Sequence, residues 1–258
     1  DRRGTGQLPT RRSAPACQCA WMNGASATAG CAGSPSPTAP ACQCWKGASP
    51  YSFEGNFAIL DDLIAKFGAD RQIILVGHSA GGQLAAEYAR VRGDVVSGLI
   101  LVDPAILTTG GGPDGFQWFY DIPQMARLGP ILVSSIATSG DALIYESFFD
   151  QSVVTDAVLD GYHQPLKVAG WERAFWNFAT APKANGLKEH LSEIRQPSLL
   201  ITGSNDTVVP TSDTVKLQGL IPGSALAVIP QTGHLPHEEK PAEFMAAIDA
   251  NWQLFSTK

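Results

Sequence analysis

Between residues 10 and 44 the chain has no Ile, Leu, Val, Phe, Tyr, Asp, Glu, Lys or His. A stretch without aliphatic side chains cannot bury a core of its own, so by composition it reads as disordered rather than folded. Cysteine is missing from everything after Cys44; all five thiols (Cys17, Cys19, Cys31, Cys42, Cys44) fall inside that same stretch. An odd number of cysteines, with no partner elsewhere, argues against a disulfide framework. The two C-x-C pairs also lack the C-x₂₋₄-C spacing and the nearby His of a zinc site, so no metal is expected. Lys and Arg form no cluster beyond the pairs Arg2-Arg3 and Arg11-Arg12, and the net charge is −6, which excludes nucleic acid as an expected partner. No apolar run approaches the ~18 residues of a membrane span. The start also lacks the apolar core of a signal peptide, which favours a cytoplasmic address. The chain begins at Asp1 rather than Met, so an upstream segment stays open.

Gln72–Gly82, QIILVGHSAGG, holds the strongest pattern. Ile73–Val76 is a short continuous apolar run, read as a strand buried on both faces, and Gln83–Arg92 reads as a helix. Between them lies Gly77-His78-Ser79-Ala80-Gly81, a G-x-S-x-G turn of the kind that lifts a nucleophilic serine above a sheet. Gly77 and Gly81 are expected to leave room on either side of a strained Ser79. The N–H of Ala80 is the expected oxyanion donor.

Other apolar runs bounded by helical patterns predict a parallel, doubly wound sheet. Val96–Val102 ends at Asp103-Pro104, Ser198–Thr202 is followed by Gly203-Ser204-Asn205-Asp206, and Ala225–Ile229 is followed by Pro230-Gln231-Thr232-Gly233-His234. Ahead of the elbow, Ser52 caps a helix with Phe57, Leu60, Leu63, Ile64 and Phe67 at helical spacing and Gly68 as its stop. The order Ser79, Asp206, His234 suits a nucleophile–acid–base set on one sheet edge. Serine is a poor nucleophile at neutral pH and needs a base within hydrogen-bond reach, which His234 supplies; Asp206 holds its tautomer. Asp103, also at a strand end, competes with Asp206, and His237 competes with His234. His78 reads as a packed neighbour, while His163 and His190 (on a helix LKEHLSEI) read as surface or core residues.

GHSAGG, GSNDTVVP and QTGHLPHEEKP together resemble the α/β-hydrolase superfamily, in its small bacterial esterase-like branch, from about Trp45 to the C-terminus. The resemblance implies an α/β-hydrolase core over 45–107 and 186–258, with a helical cap at 108–185 inserted after a central strand. Phe116 to Pro182 holds twelve of the chain's 22 aromatics, Trp118, Phe119, Tyr120, Trp171 and Trp176 among them, as a cap lining an apolar pocket would. It further implies a serine hydrolase for a small-molecule carboxylic ester, with no cofactor. C–C bond, amide and thioester hydrolysis share the same triad, and a non-catalytic binder or inactive fragment stands as the rival class. Residues 1–44 fall outside the resemblance. Family members carry there a strand, an oxyanion loop and a further strand. An out-of-frame translation of such a block, or a truncated chain with an insert, would each account for the missing apolar runs. Either the chain as written is poorly soluble and inactive, or strands run through 1–44 on ill-fitting side chains.

Overall fold

The Ser52 side chain accepts a hydrogen bond from the Gly55 N–H at 3.1 Å, and helix α1 (Phe53–Phe67) follows from that cap. The computed structural model describes residues 49–68, 70–108, 123–134, 140–181 and 186–256, all within the unit Gly47–Lys258. The cysteine-rich stretch, the strands expected through it, and Phe116, Trp118, Phe119 and Tyr120 lie outside the described residues. Of the α1 stripe, Phe57, Leu60 and Ile64 pack on the core, but Leu63 and Phe67 face solvent. The apolar spacing therefore marks a narrower face than five residues.

Four strands, β1 (Ile74–His78), β2 (Gly98–Val102), β3 (Ser198–Gly203) and β4 (Ala225–Ile229), pair in parallel in that order. Helix α2 (Ala80–Val91) joins β1 to β2. Every residue of β2 and β3 is buried, which is why GLILV and SLLITG read as unbroken apolar runs. The period of two then sorts them between two cores. Leu99, Leu101 and Leu200 pack with Ala86, Tyr88 and Ala89 of α2 on one face. Ile100, Val102, Leu199 and Ile201 pack with Ile229, Ile248 and Phe255 on the other. Truncating any of these leucines to alanine would cost about 2–5 kcal/mol.

The run Ile73–Val76 departs from expectation. Ile74 and Leu75 enter the two cores, but Val76 is 62% exposed. Among the described residues β1 is an edge strand, with β2 on one side only.

Between β2 and β3 the elements among the described residues are helices, short 3₁₀ turns apart: α3 (Pro123–Val133), α4 (Asp141–Ser147), α5 (Asp156–His163) and α6 (Trp171–Thr180). Two helices meet at a glycine here, because a Cβ on Gly129 of α3 would lie 2.2 Å from the Trp176 ring of α6. LKEHLSEI forms a 3₁₀ turn, Leu187–Glu193, rather than an α-helix; it is held by the buried Leu187 and Leu191. Helices α7 (Thr211–Leu220), α8 (Pro236–Glu239) and α9 (Pro241–Asn251) complete the chain. No helix among the described residues is long and apolar enough to cross a membrane.

Candidate active site

The parallel pairing brings the C-terminal ends of all four strands to one edge, where open α/β sheets carry their sites. Ser79, Asp103 and His234 with Asp206 all follow strand ends there. Positive-φ backbone, costly for non-glycine residues, recurs at the same edge: Ser79 at φ 52°, Asp103 at 42° and Gln231 at 51°.

Ser79 has φ 52° and ψ −121° between β1 and α2. The turn is held by its neighbours' backbone, with Ser79 N–H donating to Val102 O (2.9 Å) and Ala105 N–H donating to Ser79 O (3.0 Å). Gly77 is required, since a Cβ there would lie 2.4 Å from Gly81 O. Gly81 itself has nothing within 4 Å of an added Cβ; the second close approach belongs to Gly82, 2.7 Å from Pro104. The glycine pair that makes room is thus Gly77 and Gly82, not Gly77 and Gly81. The N–H of Ala80 opens α2 and has no acceptor within its own helix.

Asp206 and His234 meet because their loops are laced together. Ser204 N–H donates to Ile229 O, Asn205 N–H to Thr232 O and Gln231 N–H to Ser204 Oγ. Gly203 permits this closeness: a Cβ would sit 2.1 Å from Gly233 O. His234 Nδ1 donates to Asp206 Oδ2 at 2.8 Å, and Asp206 Oδ1 accepts from the N–H groups of Val208 (2.8 Å) and Val209 (3.0 Å). Both side chains are buried. With Nδ1 carrying the proton, Nε2 of the neutral ring is left as an acceptor. No hydrogen bond joins Ser79 Oγ to His234, so two of the three expected members are in contact and the third stands after β1, at the same edge of the sheet.

The remaining histidines fall as packed or surface groups. His78 Nε2 donates to His234 O at 2.8 Å, and its ring lies 4.6 Å from that of His234 and 4.9 Å from that of His237. Burial pushes His78 down to about 4, so it is neutral at pH 7, and burial lowers His237 too. His163 pairs with Asp141 and His190 with Glu193, both away from the strand ends. His78, Asp103 and His234 offer ligand atoms within 4.8 Å of one another, but Nε2 of His78 and Nδ1 of His234 are already engaged. The group is a hydrogen-bond network before it is a cation site.

Glu239 escaped the sequence reading. Its buried carboxylate accepts from Gly233 N–H (2.8 Å), Asp150 N–H (2.8 Å) and Phe149 N–H (3.2 Å). With His234 N–H donating to Ser147 O, it ties the histidine loop to the end of α4. The only signal was an acidic residue in the helical turn after His234. A cleft of about 470 Å³ opens beside Asp206, between Phe148, Phe149, Gln151, Asn205 and Thr207. A larger cavity of about 540 Å³ lies at the opposite strand ends, against Ser97, Pro197 and Phe255, remote from Ser79.

Residues 1–247 match the model of the alpha/beta hydrolase family. The chain belongs to that family. The match starts at residue 1, ahead of the motif-bearing part that begins near Trp45. Among curated relatives, the uncharacterized hydrolase YugF of Bacillus subtilis (strain 168) is 28% identical over 66% of this chain and 62% of its own length. The sn-1-specific diacylglycerol lipase ABHD11 of Mus musculus is 28% identical over 78% of this chain and 67% of its own length. The chain thus spans about two thirds of the curated relatives it matches. Among solved structures, a thermophilic esterase from Thermogutta terrifontis has a TM-score of 0.57 at 22% identity, covering 80% of this chain and 74% of that one. That likeness is one of fold, and the parallel sheet with flanking helices seen among the described residues is consistent with the family's fold.

Proposed function

We propose that this alpha/beta hydrolase cleaves carboxylic esters through an acyl-enzyme, with Ser79 as nucleophile, His234 as general base and Asp206 as its acid partner. The carrying observation is the buried 2.8 Å bond from His234 Nδ1 to Asp206, which leaves Nε2 as an acceptor at the same sheet edge that carries the strained Ser79. Substrate binding closes the remaining gap, since catalytic hydrogen bonds in unliganded sites are often long. Ser79 Oγ attacks the ester carbonyl as Nε2 takes its proton, and the Ala80 N–H donates to the oxyanion. Collapse expels the alcohol, protonated by His234. Water, deprotonated by the same ring, then releases the acid. A second oxyanion donor is unassigned among the described residues.

The helices between β2 and β3 act in this reading as a cap over the apolar part of the substrate. Their attachment to the histidine loop through Glu239 and Ser147 supports that role, as does the cluster of Phe148 and Val154 with Leu235. The lipase among the relatives supports an ester. The test is burst release from a p-nitrophenyl ester together with labelling of Ser79 by a fluorophosphonate. Stoichiometric labelling, lost in Ser79→Ala, is expected; folded protein that neither labels nor turns over is a binder instead.

A further inference from the structure

Asp103, at the end of β2, is fully buried. Its Oδ1 accepts from Gly203 N–H at 3.2 Å, while Oδ2 has no donor. The end of β1 offers His78, whose Nε2–H is committed to the His234 carbonyl, with His237 behind it. On β3, Thr202 turns its hydroxyl to Gly203 O at 3.3 Å. The β4–α8 loop offers His234, whose Nδ1–H is committed to Asp206. The β3–α7 loop offers Asp206, a carboxylate within hydrogen-bonding reach of Asp103. Apart from the Thr202 hydroxyl, which lies within reach of the Asp103 carboxyl as well as of Gly203 O, what faces this carboxyl is acceptors. Two ionised carboxylates buried side by side repel, and one of such a pair holds a proton.

Resting on the ester-hydrolase reading above, we propose that Asp103 carries a proton at neutral pH and donates it to Asp206 in an acid–carboxylate hydrogen bond, as a positioning residue for the Asp206–His234 pair. The lone pairs fit. Asp206 Oδ1 already takes two backbone N–H groups, whereas Oδ2 takes only His234 Nδ1 and has one lone pair left. Desolvation, followed by the Asp206 charge, raises Asp103 to about 9, in line with that geometry. The added donor fixes the orientation of Asp206 and leaves a single negative charge under His234. Above the Asp103 titration the pair carries two charges, and Asp206 loses the donor that orients it.

The experiment is infrared difference spectroscopy of the full chain from pH 6 to 10, with kinetics on Asp103→Asn and Asp103→Ala. A protonated-carboxyl C=O band is expected at pH 7, disappearing as the pH rises through about 9. The carboxamide in Asp103→Asn can still donate to Asp206 and accept from Gly203 N–H. It should lack the band, keep kcat within about tenfold of wild type at pH 7, and lose the alkaline decline in kcat. Asp103→Ala, with no donor, should fall about 10–100-fold in kcat with KM little changed. No band at pH 7 in folded wild-type protein overturns the proposal, even if the variants fail to fold. So does an Asp103→Asn loss near the ~10⁴ expected for removing the triad carboxylate. The band needs no turnover. A protein that shows it without labelling at Ser79 sinks the esterase reading and keeps the proton on Asp103; labelling without a band does the reverse.

Discussion

At the scale of single residues, the chemistry was legible wherever a backbone constraint left a residue type behind. Ser79 was readable because a sharp strand–helix turn needs a small flanking residue, and Gly77 supplies one. The second glycine was misread as Gly81, because the pentapeptide ends there while the crowded atom, Pro104, comes from a different strand. This difference can be measured. Gly77→Ala drives a methyl to 2.4 Å from a carbonyl and should destabilise by about 2–3 kcal/mol or prevent folding. Gly81→Ala, in open space near the start of α2, should be neutral or stabilise by up to about 1 kcal/mol. Urea midpoints for the two variants decide it, and equal losses would show that the turn is held differently. For the chemistry, Ser79→Ala should lose on the order of 10⁴–10⁶ in kcat with the unfolding midpoint intact. Asp206→Asn should lose on the order of 10⁴, because the carboxamide cannot hold the Nδ1–H tautomer. A ranking in which Asp103→Asn is the more damaged variant transfers the acid role to Asp103.

At the scale of elements, β2 and β3 are readable from continuous apolar runs, since a strand buried on both faces has no polar side to confuse it. β1 was readable as a strand but not as an edge, because apolar content reports neither partner nor register. The link between the histidine loop and α4 was not legible at all. It is made by one carboxylate that accepts from Gly233 N–H six positions away and from two N–H groups, those of Phe149 and Asp150, about ninety positions away. Glu239→Ala leaves the N–H groups of Gly233, Phe149 and Asp150 without that acceptor. The Gly233 N–H is buried and its orphaning costs about 1–3 kcal/mol, while water can reach the exposed Phe149 and Asp150, so a loss of about 1–3 kcal/mol is expected. Because Gly233 precedes His234, kcat should also fall at temperatures well below the unfolding transition. A stable Glu239→Ala protein with unchanged kcat would mean that the loop is positioned by Ser147 and Asp206 alone.

At the scale of the whole molecule, the two cores on either face of the sheet follow from the alternation of β2 and β3. Their energetics should be ordinary except at one buried acid, which gives the unfolding free energy an unusual pH profile. Asp213 is held low by hydrogen bonds from Thr108 and Lys216. A carboxylate held low contributes stability above its ordinary value near 4 and loses it as the pH falls below that. Asp103 has the opposite sign. Its folded value, about 9, lies far above the value near 4 of an unfolded chain. Between those limits the folded state holds a proton that the unfolded state does not, so unfolding releases it and stability declines as the pH rises. The contribution is present in full below about pH 4, erodes up to about pH 9, and is flat beyond. Removing the titration separates the two effects, because Asp213 acts only below the window. Urea unfolding of wild type and Asp103→Asn at pH 5, 7, 9 and 10 should give a stability difference that moves steadily toward the variant from pH 5 to 9 and then stops. A difference that is constant with pH, or that moves toward wild type as the pH rises, would mean that Asp103 is ionised in the folded protein.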